Sequence, residues 1–213
     1  MTSDLAVDQG RPWRGLSPVE RRQARHHRLL DAGLELFGTL GYSATSLTAL
    51  CAEGGVSPRH FYEIHPGREQ LLAELYDEIA RDLIRRVRAA QAVAPLTVPA
   101  QVEATLGAVV SALTDDPRRA RVLLLEIVGV SPAMDTIRLE AVRRFAAVLG
   151  DAHGRLVAVG AVPAREFEAL AIGLVGAINE LLTDWLLKDP RPAATSVLPA
   201  LAPLLMAVFA LPA

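Results

Sequence analysis

Helix-initiating signals, together with the lack of strand-like runs, constrain this chain most. Ser17 and Ser57 are each followed at once by a proline, Pro18 and Pro58. This pairing favours a helix start, because the serine hydroxyl accepts a free backbone N–H and proline has no N–H to leave unpaired. The sequence contains no run of β-branched and aromatic residues bounded by hairpin turns. An all-α fold is therefore predicted.

Apolar residues recur with the helical period almost throughout the chain, and glycine and proline separate one helix from the next. The predicted helices cover residues 17–39, 45–53, 57–65, 67–88, 99–114, 117–129, 132–153, 163–187 and 194–211. Gly54 and Gly55 end the second helix, because glycine tolerates the left-handed conformation of a sharp turn. Pro199 and Pro203 are expected to kink or shorten the last helix.

Composition narrows the class of protein. The chain has 213 residues and a formal net charge of −2, which is typical of a globular protein. Its single cysteine, Cys51, can form neither an intramolecular disulfide nor a cysteine-based zinc site. A secretory signal and a run of 18 apolar residues are both absent, so we expect a cytoplasmic protein that does not span a membrane.

Enzyme, cofactor and metal motifs are also missing. The sequence has no phosphate loop, dinucleotide fingerprint, nucleophile elbow or zinc-protease helix motif, so neither an enzyme nor a cofactor is expected. His26 and His27 are adjacent, hence about 100° apart on a helix, and cannot easily share one metal ion. We interpret both as surface residues and predict no metal site.

Positive charge is concentrated near the N-terminus. Residues 11–28 hold six arginines against Glu20 alone, a net charge of +5 in a chain that is slightly acidic overall. Such a segment can attract a polyanion. We expect residues 1–16 to form a flexible basic arm that adds non-specific attraction to phosphates.

The segment after the first helix reads as helix, glycine turn and second short helix, TSLTALCAEGGVSPRHFYEIHPGREQLLAELY at residues 45–76. It resembles the DNA-binding domain of the TetR family of transcriptional regulators. The resemblance covers residues 17–80 and depends on Thr45-Ser46, Gly55-Val56-Ser57, Phe61-Tyr62 and a basic residue six positions later. The chain departs from the family pattern in having Arg59 for a small residue, His65 for an aromatic and Arg68 for a lysine.

The resemblance, with the geometry of a helix-turn-helix, predicts which residues contact DNA. Thr45 is expected to cap the second helix near a phosphate, Arg59 to reach a guanine edge, and Tyr62 and Arg68 to contact phosphates. The plainer alternatives are a simple cap for Thr45, a solvated side chain for Thr48 and a half-buried core ring for Tyr62. The full predicted set is Thr45, Ser46, Thr48, Ser57, Pro58, Arg59, His60, Tyr62 and Arg68.

The helix predicted at 163–187 is apolar nearly all round, which indicates burial on more than one side. We expect it to pack on its own core and on a second subunit. The predicted dimer interface consists of Leu170, Gly173, Leu174, Ala177 and Leu181. The family resemblance implies the same arrangement, a homodimer joined through a four-helix bundle, and a two-fold dimer calls for a palindromic operator in double-stranded DNA.

Two polar residues stand in otherwise apolar helical segments of the C-terminal half, Glu126 and Asn179. Either they bind a small-molecule effector, or they make internal contacts such as an ion pair of Glu126 with Arg121 or Arg143. The resemblance implies a largely apolar effector pocket between the helix at 67–88 and the C-terminal helices.

The predicted organisation is an arm at 1–16, a helix-turn-helix domain at 17–66, and an effector-binding and dimerisation domain at 67–213, with 67–88 as the linking helix. The expected function is a DNA-binding transcriptional repressor that an effector releases. The alternative is a helical dimeric small-molecule-binding protein, or an enzyme, that does not bind DNA.

Overall fold

The computed structural model describes residues 17–211, so the arm predicted at 1–16 lies outside the described residues. All the regular structure in the described part is helical, which confirms the all-α prediction. The helices are α1 Pro18–Thr39, α2 Leu47–Glu53, α3 Pro58–Tyr62, α4 Arg68–Val93, α5 Val98–Thr114, α6 Pro117–Arg121, α7 Pro132–Ala158, α8 Glu168–Leu187 and α9 Leu198–Ala210. A π-helical turn at Val122–Glu126 follows α6, and a 3-10 turn at Ala194–Val197 precedes α9.

The two serine–proline starts are confirmed. The Ser17 hydroxyl accepts the Glu20 N–H at 3.2 Å, and the Glu20 carboxylate in turn accepts the Ser17 N–H at 2.7 Å. At the start of α3, the Ser57 hydroxyl accepts the His60 N–H at 3.3 Å. Each cap satisfies backbone donors that have no partner inside the helix.

Several helices differ from their predicted bounds: α3 ends at Tyr62 where 65 was predicted, α7 continues to Ala158 where 153 was predicted, and α9 begins at Leu198 where 194 was predicted. α4 continues five residues past 88, because Gln91 is buried and its side-chain N–H₂ donates to the hydroxyl of Thr105 on α5 at 2.9 Å. The helix predicted at 117–129 becomes a short α6 and a π-helical turn, which end before Gly129 adopts a φ of +72°. α8 begins at Glu168, five residues later than predicted.

Two hydrophobic cores meet on α4. The N-terminal core joins α1, α2 and α3 to the first half of α4, and its largest fully buried side chains include Phe37 and Phe61. The C-terminal core joins the second half of α4, from Leu83 onward, to α5, α7, α8 and α9. Val122 and Ile127 belong to the N-terminal core, so the segment after α6 also contributes to both halves of the molecule.

A polar seam fixes α6 and the π-helical turn against the end of α1. Arg118 donates to Glu35 at 2.6 Å, and Arg121 donates to Glu126 at 2.8 Å. The other Glu126 carboxylate oxygen accepts the backbone N–H of Tyr42 at 2.7 Å. Gly38 makes this approach possible, because a β-carbon there would overlap the side chain of Arg118. A movement of the π-helical turn would therefore be transmitted directly to the N-terminal core.

α8 is long and apolar enough to cross a membrane, judged by length and composition alone. Its residues Ala171, Leu174, Ile178, Leu182 and Trp185 are nevertheless buried in the C-terminal core. Core helices of globular proteins pass the same length test, so this feature alone is weak evidence of a membrane span.

Candidate nucleic-acid interface

The turn between α2 and α3 is sharp because Gly55 adopts a φ of +58°, a conformation that side chains with a β-carbon rarely tolerate. The Val56 N–H donates to the Cys51 carbonyl at 2.9 Å and closes the end of α2. Val56 itself is buried beside Leu50 in the N-terminal core. A further backbone bond, from the Gly55 N–H to the Ala52 carbonyl at 3.2 Å, and the buried Val56 side chain also hold the turn.

α3 is anchored by Phe61, its one buried residue. The backbone N–H of His65 donates to the Phe61 carbonyl at 2.8 Å, so the chain after α3 is also tied to this anchor. The Tyr62 ring meets the Phe61 ring edge-on, with centroids 5.8 Å apart. The remaining side chains of α3 are left free to face outward.

Most of the predicted contact residues lie on an exposed surface. Arg59 has 88% of its side chain exposed and stands 3.4 Å from the Glu63 carboxylate, while Tyr62 is 60% exposed. A large aromatic residue so exposed beside an exposed guanidinium is suited to contact another molecule. The other exposed or half-buried members of the set are Ser46, Thr48, Ser57, Pro58 and His60.

The predicted role of Thr45 as helix cap is wrong. α2 begins one residue later, and Ser46 is its cap, with a hydroxyl that accepts the Ala49 N–H at 3.0 Å. Thr45 is only 1% exposed, and its own hydroxyl donates to the Gly41 carbonyl at 2.7 Å. The hydroxyl of Thr45 therefore closes the α1–α2 loop from inside and is not presented to a phosphate.

Arg68, predicted to contact a phosphate, is half-buried. Its guanidinium donates to the carbonyls of Tyr42 and Thr45 and lies 4.9 Å from the centre of the Tyr42 ring. It therefore holds the α1–α2 loop against the start of α4. Burial raises the pKa of the Tyr42 phenol, so the ring under this cation is neutral at pH 7.

Two arginines of the basic segment have positions that the sequence did not reveal. Arg28 on α1 donates to the Gly54 carbonyl at 3.1 Å, and Arg22 donates to the Glu63 carbonyl at 3.1 Å. These carbonyls stand at the C-terminal ends of α2 and α3, where partial negative charge favours a cation. Net charge alone indicated attraction to phosphates, and only the packing of α1 identified these neighbours.

A cavity of about 180 Å³ lies between α4, α5, α7, α8 and the π-helical turn. Most of its lining is apolar, namely Ala80, Leu83, Ile84, Val109, Leu113, Leu123, Leu124, Val128, Ala141, Val142, Phe145, Val175 and Ile178. Its polar lining consists of Tyr76, Arg138, Asn179, Glu180 and Thr183. Burial raises the pKa of Tyr76 to about 12, so its hydroxyl is a neutral hydrogen-bond donor there.

Of the two residues predicted to bind a ligand, Asn179 faces this cavity and Glu126 does not line it. The Glu126 carboxylate is instead occupied by Arg121 and by the backbone of Tyr42. The alternative reading of Glu126 as an internal ion pair with Arg121 is confirmed, and its assignment to the ligand site is corrected.

The exposed face of α8 differs from the one predicted. Leu174 is only 3% exposed, because it packs into the chain's own C-terminal core, so it is not available to a second subunit. Leu170, Ala177 and Leu181 are half-buried, whereas Gly173 is exposed with open space around it. The exposed face includes Ile172, Gly173, Gly176 and Glu180. On α9, which has no charged residue, Ala200, Pro203, Leu204 and Ala207 are exposed.

Sequence comparison identifies the family of the N-terminal unit. Residues 29–75 match the family profile described as "Bacterial regulatory proteins, tetR family". These residues run from α1 through α2 and α3 into α4. This segment belongs to the tetR family. The tetR match and the helix-turn-helix support a DNA-binding transcriptional regulator, as the resemblance predicted. No curated protein sequence matches the chain.

Solved structures described as bacterial regulators share the fold over most of the chain. The fatty acid degradation regulator FadR from Bacillus halodurans has a TM-score of 0.77 at 17% identity, covering 90% of this chain and 96% of that one. FadR from Bacillus subtilis, in complex with stearoyl-CoA, has a TM-score of 0.76 at 19% identity, covering 86% and 98%. A transcriptional regulator from Pseudomonas aeruginosa PAO1 has a TM-score of 0.72 at 22% identity, covering 91% and 92%. At these identities the likeness concerns the fold.

Proposed function

We propose that the protein is a homodimeric transcriptional repressor that binds a palindromic operator and is released from it by a small, largely apolar effector. The observation that carries the proposal is the outward presentation of Arg59 and Tyr62 on α3, a helix anchored from beneath by Phe61. A short helix presented in this way can enter the major groove while α2 crosses the phosphate backbone.

Each exposed residue has a distinct proposed contact. Arg59 donates two hydrogen bonds to a guanine edge, the commonest specific base contact. The hydroxyls of Thr48 and Tyr62 bind phosphates, which position the protein without reading sequence. Ser46, Ser57, Pro58 and His60 complete the contact surface. Arg68 contributes by holding the α1–α2 loop, and its predicted phosphate contact remains a prediction.

Dimerisation is proposed through α8 and α9. Gly173 and Gly176 let a second helix approach closely, and the exposed apolar positions of α9 lose their contact with water when covered. A two-fold axis through this surface brings two copies of α3 to successive major grooves, about 34–36 Å apart. A palindromic operator with half-sites one helical turn apart follows from that symmetry.

The cavity is the proposed effector site. At about 180 Å³ it is smaller than the roughly 300–1,000 Å³ of sites for drug-sized ligands. In this conformation it accommodates a small apolar group or the end of an acyl chain, with Arg138 and Asn179 available to a polar head. The stearoyl-CoA complex of the similar Bacillus subtilis FadR supports an acyl-type ligand.

Two connections link the cavity to the α1–α2 loop, which leads into the helix-turn-helix. Leu123 and Leu124 line the cavity, and Glu126 of the same π-helical turn holds the backbone of Tyr42. In addition, α4 contributes Tyr76 to the cavity and Arg68 to the loop before α2. An effector that binds one arrangement of these elements better than the other shifts the spacing of the two DNA-binding units, with a coupling free energy of typically about 1–3 kcal/mol.

Selection of genomic DNA fragments by the purified protein tests the function. The wild type should enrich a palindrome, with affinity falling steeply as salt rises. Arg59→Ala should lose preference at one position of each half-site, at a cost of about 1–3 kcal/mol. The matched control is Arg85→Ala, which removes an equal charge from a side chain 75% exposed on α4 and should leave the enriched motif unchanged.

The outcomes separate the two candidate functions. An unchanged motif in Arg59→Ala would remove that residue from base recognition. Absence of any DNA retention by the wild type at low salt, with or without acyl ligands, would contradict the repressor and favour a dimeric small-molecule-binding protein. Release of retained fragments by an acyl ligand would identify the effector class in the same assay.

A further inference from the structure

Three potential metal ligands converge inside the N-terminal unit, away from the exposed face of α3. They are His26 on α1, His65 in the turn after α3, and Glu74 on α4. One ligand atom from each lies within 4.8 Å of the other two. His26 Nε2 is 2.7 Å from Glu74 Oε1, and His65 Nδ1 is 3.6 Å from Glu74 Oε2. The Glu74 carboxylate thus stands between two imidazoles that are 48 and 9 positions away in sequence.

His65 is the unusual member of this cluster. It is 1% exposed, its Nε2 has no hydrogen-bond partner, and its Nδ1 points at a carboxylate oxygen beyond hydrogen-bond distance. A buried polar group without a partner is costly, and such groups often mark an unseen water or ion.

We propose that His26, His65 and Glu74 form a site for a zinc-like divalent transition-metal ion, which joins α1, the α3–α4 turn and α4. Two imidazoles and one carboxylate suit Zn²⁺ and related ions, and they are poor ligands for Ca²⁺ or Mg²⁺, which prefer oxygen alone. Cys51 is not part of the cluster, so the site has no thiolate.

The spacing requires side-chain adjustments of up to about 1.4 Å. Zinc binds these ligands at about 2.0–2.2 Å, so neighbouring ligand atoms of a tetrahedral site are about 3.4 Å apart, whereas the ligand atoms of this cluster lie within 4.8 Å of one another. His65 and His26 contact different oxygens of Glu74, and the His26–Glu74 hydrogen bond would open by less than an ångström. The side chains of His26 and Glu74 are 27% and 35% exposed, so an ion can enter from solvent on their side and keep water as its fourth ligand.

Such an ion would stabilise the arrangement of the whole N-terminal unit. Its ligands come from three separate elements, including the turn that positions the end of α3 relative to α4. The unfolded chain does not hold these residues together, so binding should appear as added folded-state stability. The site is distinct from the proposed DNA contacts, and the free protein suffices to test it.

The test measures zinc binding by the untagged full-length protein. Equilibrium dialysis with elemental analysis gives the amount bound, and thermal unfolding gives the change in Tm. The wild type should bind one Zn²⁺ per chain at this site. Its Tm should rise by about 5–10 °C when free zinc exceeds Kd a hundredfold. His26→Gln and Glu74→Gln should each weaken binding by at least about tenfold and abolish most of the Tm rise. His65→Phe keeps a buried ring of similar shape and should fold while losing the site.

The matched control is His27→Gln, which removes a neighbouring exposed histidine outside the cluster and should bind zinc like the wild type. Absence of saturable zinc binding by the wild type would overturn the proposal and leave a hydrogen-bonded His–Glu–His cluster. Equal binding by Glu74→Gln and the wild type would also overturn it, as would a loss in His27→Gln as large as in His26→Gln. None of these outcomes depends on whether the protein binds an operator.

Discussion

The exposed faces of α3 and α8 differ in the polarity of their side chains. α3 has five residues, of which Phe61 alone is buried, and its exposed side chains include a guanidinium and a phenol. α8 has twenty residues that are apolar on the buried face and largely apolar or small on the exposed face. The contrast teaches that polarity separates the two faces of α3 clearly, whereas the exposed face of α8 mixes Glu168, Glu180 and Asp184 with apolar and small residues.

This difference explains which predictions failed. Periodicity reports how apolar a face is, but it cannot say which of two apolar faces the chain itself covers. Leu174 and Gly173 are adjacent in sequence and were both assigned to the dimer interface. Packing of α8 on α7 buries Leu174 and leaves Gly173 open. Burial in the chain's own core therefore removes Leu174 from the predicted interface, and the assignment of α8 to a dimer interface remains a prediction.

The largest effect is expected for a charge placed on the exposed face of α8. Gly173→Asp would bring one carboxylate from each protomer into the proposed interface, and an uncompensated buried charge costs about 3–5 kcal/mol. Sedimentation velocity should show a dimer for the wild type and a monomer for the variant. The control is Gly107→Asp at an exposed position of α5, where a side chain also meets open space. A variant at 173 that stays dimeric would place the interface elsewhere.

Effects of similar or smaller size are expected for the two aromatic residues of α3. Phe61→Ala empties a fully buried position and should lower the free energy of unfolding by about 3–5 kcal/mol. Tyr62→Ala removes a side chain that is 60% exposed, so its cost in stability should be within about 1 kcal/mol. Urea unfolding measures both. Comparable losses of unfolding free energy in the two variants would show that Phe61 does not anchor α3 more strongly than Tyr62 does.

The smallest expected effect is the contribution of His153, in the core that α8 packs against, to the pH dependence of stability. Phe167, just before α8, stacks on buried His153 with ring centroids 4.2 Å apart. Burial and then Arg165 lower the pKa of His153, opposed by a hydrogen bond to the backbone at Pro163. Below about pH 6.5 the unfolded chain binds the proton more readily. Stability should therefore fall from that pH down to the lowered folded pKa, by at most about 1.4 kcal/mol per pH unit.

His153→Phe checks this expectation. The variant keeps an aromatic ring against Phe167 and cannot be protonated, so it should lose less stability than the wild type between pH 7.5 and 5.5. Urea unfolding at each pH gives the comparison, and other titrating groups, His65 among them, act equally in both proteins. Parallel pH profiles would show that His153 does not contribute to acid sensitivity.

The sequence predicted the local structure of the α2–α3 unit better than the contacts that hold this unit against the rest of the chain. The Ser57 cap, the Gly55 turn and the exposure of Arg59 follow from local rules about caps, positive φ and helical period. The helix-cap role predicted for Thr45 was wrong and the internal contacts of Arg68 were missed, because both side chains donate to backbone carbonyls of the α1–α2 loop. Nothing near either residue in sequence identifies those carbonyls as its partners.

Long-range pairing explains the remaining differences. The seam between Glu126 and Tyr42 joins residues 84 positions apart, and the cluster of His26, His65 and Glu74 draws on three elements. Their residue types are visible in the sequence, but their proximity is not. His26 was interpreted as a surface residue beside His27, whereas folding places it against Glu74.

The sequence by itself determined the all-α class, the position of the helix-turn-helix and the resemblance to the tetR family. Those features depend on interactions within about four residues, which caps, glycines and apolar periodicity specify directly. Only the tertiary structure decided which face of α8 is covered, which carbonyls Arg68 binds and where the cavity lies. These depend on the packing of distant segments, because a side chain's burial and partners are set by what folds against it.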